Sequence, residues 1–373
     1  MKRKFLFGFV SLFFVFEQAQ AVEFDRPIIV TIPTQSASQD HVSLATEEVA
    51  LMNVKLTQQQ KENLLVNDTS NSNHSFLQAK NKLPQKYIQG MNGVPVLNQG
   101  LHGTCVTFAV TAAIDAMLQK GDYVSQLCNL ELGSYLANEG YLMSGWNGAN
   151  GAMILDQIQR FGIINKQNQQ TKSCAGITEY ATRDSENTGN PMPLDAYKQL
   201  SENTSLIESD PILTLTQRFQ WQHKNQASER ILRKIKQYLV ENKSVERDAD
   251  SLRVVFGSFL LLNHCHVGAC AKYHANEDTW ALTEAIKNDS QPQIAGHEMI
   301  IIGYDDNAVA IDNEGKKHRG LLHLRNSWGD AAGDHGNYYM TYDYFKHWVM
   351  DADLIYYLGK PNGAMHNEAL SRP

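Results

Sequence analysis

In the stretch "VLNQGLHGTCVTFAVTAAIDAM" (residues 96–117), Cys105 follows a glycine-bearing turn and opens an apolar run with helical periodicity. A thiol attacks a carbonyl as thiolate, and both a helix N-terminus and a neighbouring imidazolium favour that form. Gly100, Gly103 and Thr104 supply the turn, so the free N–H groups of the first helical turn face Cys105. The same N–H groups can hold an oxyanion, with the side-chain amide of Gln99 as second donor. The base must come from elsewhere in the chain. Of 13 histidines, His297 stands out because it begins the apolar strand "HEMIIIGY". Asn326, in "RNSWGD", follows the next strand, and its neutral amide can orient an imidazole without adding charge.

The competing reading of Cys105 is a buried helix cysteine, and the cysteine count bears on it. Lys2, Arg3 and Lys4 precede an apolar run from Phe5 to Phe16 and then Ala19-Gln20-Ala21, the pattern of a secretory signal cleaved after Ala21. The run is shorter than the roughly 20 apolar residues that span a bilayer, so no stable membrane anchor is expected. The expected location is secreted or periplasmic. In such a compartment five cysteines leave one unpaired. "NHCHVGAC" (263–270) could bind zinc or close a small Cys265–Cys270 loop, and the disulfide is the better fit to an exported chain. Cys128 and Cys174 would then pair by elimination, although four cysteines allow three connectivities. "HEMII" is not a zinc-protease motif, because its fifth residue is Ile301.

"NQGLHGTCVTFA" resembles the nucleophile segment Q-G-x-C-G-S-C-W of papain-like cysteine peptidases. "GHEMIIIGYDD" is similar to that family's histidine strand, and "LRNSWGDAAGDHGNYYM" to its N-S-W-G segment. "NGANGAMILDQIQRFGII" resembles the glycine-bearing cleft wall, and "LPQKYIQGMNGVPVLNQG" the start of the mature enzyme. These islands occur in the family's order between about residues 83 and 350. The resemblance implies Cys105 as nucleophile, His297 as acid/base, Asn326 as orienter, and an oxyanion hole of Gln99 and the Cys105 amide. It makes Gly103, Gly148, Ala149, Gly296 and Trp328 the substrate cleft, with Trp328 shielding the His–Asn pair. The chain departs from the pattern at four places: His102 replaces the first cysteine, Val106 and Ala332 replace tryptophans, and Ala149 replaces a glycine. The Cys–His separation also exceeds the roughly 130–150 residues of papain and cathepsin signatures.

The elements follow from what must position these groups. The resemblance implies an α+β papain-like two-lobed fold, with a helical left lobe, an antiparallel β-barrel-like right lobe and the cleft between them. Residues 22–40 look extended, 43–66 form an amphipathic helix, and "NDTSNSNHS" marks a boundary between about 67 and 82. Helices are expected after Thr104, over 152–161 ending at Gly162, and within 227–242. Strands are expected at 252–262, 297–306, 320–328 and 336–345. The domains are then a signal peptide (1–21), a propeptide or N-terminal extension (22–80) and a catalytic domain (81–373) with an insertion at 178–249. Part of 67–85 is expected along the cleft, in the reverse of substrate direction.

Hydrophobic residues at 42% allow a sizeable core, and a net charge of −7 offers no field for nucleic acid. The expected function is an exported cysteine endopeptidase made as a zymogen. Its partners would be a peptide or protein substrate and its own propeptide as intramolecular inhibitor, on a monomer. No cofactor or metal is required. A thiol amidase or transpeptidase with the same triad, or a catalytically silent peptide-binding protein, are the alternatives.

Overall fold

The structure is a computed structural model that describes residues 23–35, 44–65, 83–140, 143–221, 223–241 and 251–359. The signal sequence, the 67–82 boundary and most of the 67–85 segment lie outside the described residues. In chain order the elements are β1 (Glu23–Gln35), β2 (Leu44–Lys55), α1 (Gln58–Leu65), β3 (Lys86–Ile88), α2 (Cys105–Leu118), α3 (Gln126–Asn138), α4 (Gly151–Phe161), α5 (Lys166–Lys172) and α6 (Leu194–Leu200). They continue with β4 (Ile207–Leu213), α7 (Leu215–Phe219), α8 (Lys224–Glu241), β5 (Leu252–Leu261), β6 (Ala271–Lys272), β7 (Thr279–Trp280), α9 (Glu284–Lys287) and β8 (Ile294–Asp312). The last are β9 (Lys317–Arg325), β10 (Asn337–Thr341), α10 (Tyr342–Trp348) and β11 (Val349–Tyr357).

Every residue of α2 is buried, not only the alanine-rich face that its periodicity picks out. A helix apolar all round belongs in an interior, and α2 lies against β5 and β8, with α3 and α4 on its other sides. Its one acidic residue, Asp115, turns its carboxylate to the backbone N–H groups of Tyr123 and Val124 at 3.1 and 2.9 Å. Burial still raises the Asp115 pKa to about 8, ahead of the lowering by those two bonds.

The strands form an α+β architecture around one sheet of 11 strands, in the path β4-β11-β5-β8-β6-β7-β10-β9. Strand β9 also pairs with β8, which closes β8, β6, β7, β10 and β9 into a ring. The ring is not wholly antiparallel, because β10 runs parallel to β7. From the 178–249 region, β4 joins the sheet edge beside β11.

Three expectations change. Residues 44–55 are a strand, not part of a helix, because they pair along β1 and touch β8, burying Val49 to Met52 without interruption. A run buried on both faces hides the strand period. His297 is the fourth residue of β8, not its first, since pairing with β5 extends the strand back to Ile294. The aromatic run 342–345 turns into α10, where the Thr341 side chain caps the Tyr344 N–H.

Cys128 is bonded to Cys174, and Cys265 to Cys270. A crosslink removes more unfolded-state entropy when it closes a longer loop. Replacing Cys128 and Cys174 by serine is expected to lower the free energy of unfolding by about 2–5 kcal/mol. The Cys265–Cys270 pair, only five residues apart, should contribute less. Urea unfolding of the two double variants checks the order, and equal losses would contradict it.

Candidate active site

Cys105 is the one cysteine outside the disulfides among the described residues, and it is fully buried at the first position of α2. Thr104 precedes the helix without capping it through its side chain. Instead, the Thr104 hydroxyl meets the Tyr180 hydroxyl at 2.8 Å, and Tyr180 donates to the Gln99 carbonyl at 2.7 Å. Burial drives the Cys105 thiol well above the ordinary cysteine range, and the Glu298 carboxylate adds to the rise. Backbone bonds from Glu298, Val106 and Cys105 itself oppose it. The thiol therefore sits against the residue that follows His297.

His297 and Asn326 are brought together by sheet register. Pairing of β8 with β9 sets Ile300 opposite Arg325, which leaves His297 near the turn that starts at Asn326. The His297 Nε2–H donates to Asn326 Oδ1 at 2.7 Å, and Asn326 Oδ1 also accepts from the Ser327 N–H. His297 Nδ1 is buried without a partner. That tautomer leaves a bare lone pair on the second ring nitrogen, free to take a proton. Burial lowers the His297 pKa to about 4, outweighing the upward pull of Asn326. Trp328 stacks on the imidazole at 4.6 Å, braced by Trp280 and Tyr338. Ala332, where a second tryptophan is missing, bridges to Thr34 of β1.

Gln99 is buried, and both hydrogens of its amide are engaged. Its Nε2 donates to the carbonyls of Ala50 at 2.9 Å and His102 at 3.0 Å, while Oε1 accepts from Ser327. Ala50 belongs to β2, and the same strand makes three further contacts here. Glu47 accepts from Asn98, the Ala50 N–H donates to Gly100, and Met52 pairs with Gly296. Phe24 of β1 lies over Gly148, where a Cβ would come within 2.7 Å of its ring. Strand β2 (Leu44–Lys55) thus lies against Asn98, Gln99, Gly100 and Gly296, while most of the 67–85 segment expected along the cleft lies outside the described residues. Ala149 is buried, and Gly103 abuts the Asn147 backbone.

His102, in place of a cysteine, packs edge-on against Trp146 at 4.9 Å and bonds the Ala181 carbonyl through Nε2. Trp146 lies parallel to Tyr180, and Phe108 meets Tyr180 edge-on. Trp146 and Tyr180 carry no motif that the sequence reading used. The signal available was indirect: a missing crosslink at His102 requires some other brace for the turn.

Residues 275–355 match the Peptidase C1-like family. The matched stretch holds His297, Asn326 and Trp328 but not Cys105, and it supports the resemblance to papain-like cysteine peptidases. No curated protein matches the chain. Among solved structures, the fold is similar to xylellain, a cysteine protease from Xylella fastidiosa, at 18% identity over 74% of this chain and 88% of that one, with a TM-score of 0.44. It is also similar to the cysteine protease and lectin-like domains of Cwp84 from Clostridium difficile (14% identity, 75% and 52% covered, TM-score 0.46). Digestive procathepsin L 3 of Tenebrio molitor larval midgut matches at 15% identity, with 79% and 76% covered and a TM-score of 0.40.

Removing the Tyr180 hydroxyl strands two buried groups, so Tyr180→Phe should destabilise the chain by about 1–3 kcal/mol. Chemical denaturation reads the loss. An unchanged midpoint would mean that the hydroxyl does not brace the turn.

Proposed function

We propose that the chain is an exported cysteine endopeptidase held in a self-blocked form. The observation that carries this reading is the His297 imidazole, fixed by Asn326 through Nε2 and bare at Nδ1, one residue from the backbone that touches the Cys105 thiol. Cys105 passes its proton to His297 Nδ1 and attacks the scissile carbonyl. The developing oxyanion turns to the Gln99 amide and the Cys105 N–H. Collapse breaks the C–N bond, His297 protonates the leaving amine, and a thioester to Cys105 remains. Water then loses a proton to His297, attacks the thioester, and releases the acid and the thiol. Asn326 fixes the ring through all steps, and Trp328 keeps water from the His–Asn bond. No cofactor takes part.

Strand β2 supports the self-blocked half of the reading. The Ala50 carbonyl occupies the Gln99 amide, and Val49, Leu51 and Met52 are fully buried. Each such side chain contributes about 1.5–3 kcal/mol on leaving water. While the strand stays, burial keeps both the thiol and the imidazole neutral. Release of β1 and β2 from the site would restore water and polarity to the pair.

Ala50→Glu in the full-length chain puts a charge where none can be solvated and should drive the strand out. Labelling of Cys105 by a thiol-directed epoxide is expected to rise at least about tenfold, the factor for a barrier lowered by 1.4 kcal/mol. Peptide digestion should appear with it, yielding free amines and carboxylates, and vanish in Cys105→Ala. A Cys105 that resists the reagent in the opened chain would overturn the enzyme reading. New amide products would instead make it a transferase.

A further inference from the structure

The Cys265–Cys270 crosslink joins residues only five apart, too close to remove much unfolded-state entropy, so stability is not its main role. It lies where the chain passes from surface to interior. Cys265 is exposed, whereas Val267, Ala269 and Cys270 are buried in the core beside Trp280. Along this turn the backbone enters the left-handed region at Cys265 (φ 42°), Val267 (φ 48°) and Gly268 (φ 86°). Glycine adopts that region freely, but a β-branched valine there is an outlier that the surrounding structure must hold in place.

The consequence of that conformation is a hydrogen bond. The Trp280 indole N–H donates to the Val267 carbonyl at 3.0 Å. An indole has a single donor, so this bond fixes the orientation of a fully buried ring. Trp280 meets Trp328 edge-on at 6.0 Å and stacks on Tyr338 at 4.9 Å. Trp328 stacks on the His297 imidazole at 4.6 Å. A continuous line of packed rings therefore runs from the crosslinked turn to the imidazole, and a close-packed interior transmits a displacement at one end to the other.

The ends of the turn are tied to different neighbours. His264 Nε2 meets the Asp289 carboxylate, the His266 ring meets Glu277, and the Asn313 N–H donates to the Cys270 carbonyl at 2.9 Å. The disulfide draws these ends together and keeps Val267 in its left-handed conformation. It is also the crosslink that a reagent can reach, because Cys128 and Cys174 are both 0% exposed.

We propose that the Cys265–Cys270 disulfide is a positioning crosslink for His297, acting through Trp280, and that an external dithiol can open it. The inference rests on the peptidase reading, since what it controls is the aim of the imidazole. A thiolate of the dithiol attacks Cys265 Sγ, forms a mixed disulfide and expels the Cys270 thiolate, which takes up a proton. The second thiol of the reagent, as thiolate, then attacks the reagent sulfur of the mixed disulfide. Cys265 leaves as a thiolate and is protonated, and the reagent departs as its own disulfide. Two electrons and two protons thus pass from the dithiol to the two cysteines. Cys265 and Val267 then return to ordinary backbone, the Val267 carbonyl leaves the Trp280 indole, and Trp328 loses its brace over His297.

The test uses dithiothreitol on two full-length chains, with alkylation and mass measurement to count the thiols released. In Cys105→Ala, NMR follows the His297 ring. Reduction should shift its signals, and Trp280→Phe, which keeps a ring but removes the N–H, should shift them without reduction. In the opened Ala50→Glu chain, reduction should lower kcat by at least about tenfold and change KM by less than about twofold, within the ~100-fold that a misplacement of about 1 Å can cost. Cys265→Ser combined with Cys270→Ser should show the lower kcat from the outset and be indifferent to dithiothreitol. Reduction of Trp280→Phe should add no further loss, because both changes act through one bond. His297 signals that stay in place once Cys265 and Cys270 are reduced overturn the proposal, whether or not the variants fold. So does a reduction effect that multiplies with that of Trp280→Phe. Shifted signals without cleavage in either redox state would sink the peptidase reading and leave the positioning role standing.

Discussion

An imidazole can move a proton in one direction only if one of its nitrogens is fixed and the other is bare. The bond from His297 Nε2 to Asn326 Oδ1 sets that condition, and much of the structure serves it. The long pairing of β8 with β9 brings the two residues to one end of the ladder. The Ser327 N–H holds the same amide oxygen, and the Ser327 hydroxyl holds Gln99. Trp328 covers the ring, with Trp280 and Tyr338 behind it. The buried helix α2, which opens at Cys105, packs against the strand that carries His297.

The same enclosure explains the role given to the N-terminal hairpin. A buried thiol and a buried imidazole both favour their neutral forms, because low polarity penalises either charge. Strand β2 completes the enclosure and takes the Gln99 amide for its own Ala50 carbonyl. On the proposed reading, one strand withholds solvent, an oxyanion donor and access together. Its partner β1 adds Phe24 at Gly148 and reaches the 331–333 turn through Thr34 and Gln35.

The placement of Cys105 and Asn326 was legible in the sequence because it is tied to local features. Cys105 follows a glycine turn and opens a helix, and Asn326 sits in a polar break after a strand. Those features survive folding unchanged. The β2 strand was not legible, since burial on both faces erases its alternation and Leu-, Glu- and Lys-bearing residues read equally well as helix. Tyr180 and Trp146 were invisible for another reason: they brace the nucleophile turn only through contacts made across the fold. Glu298, Asp351 and Asp353 were hidden likewise as a group of buried acids, since they become neighbours only when β8, β5 and β11 come into register.

The central claim is that His297 and Cys105 act as one proton-sharing pair. Its most direct test is the pH dependence of Cys105 alkylation in the opened chain, compared with His297→Ala. The account predicts a thiolate apparent pKa well below the ~8.5 of free cysteine, returning to or above that value when the imidazole is removed. An apparent pKa at or above that of free cysteine in the opened chain, unmoved by His297→Ala, would contradict it.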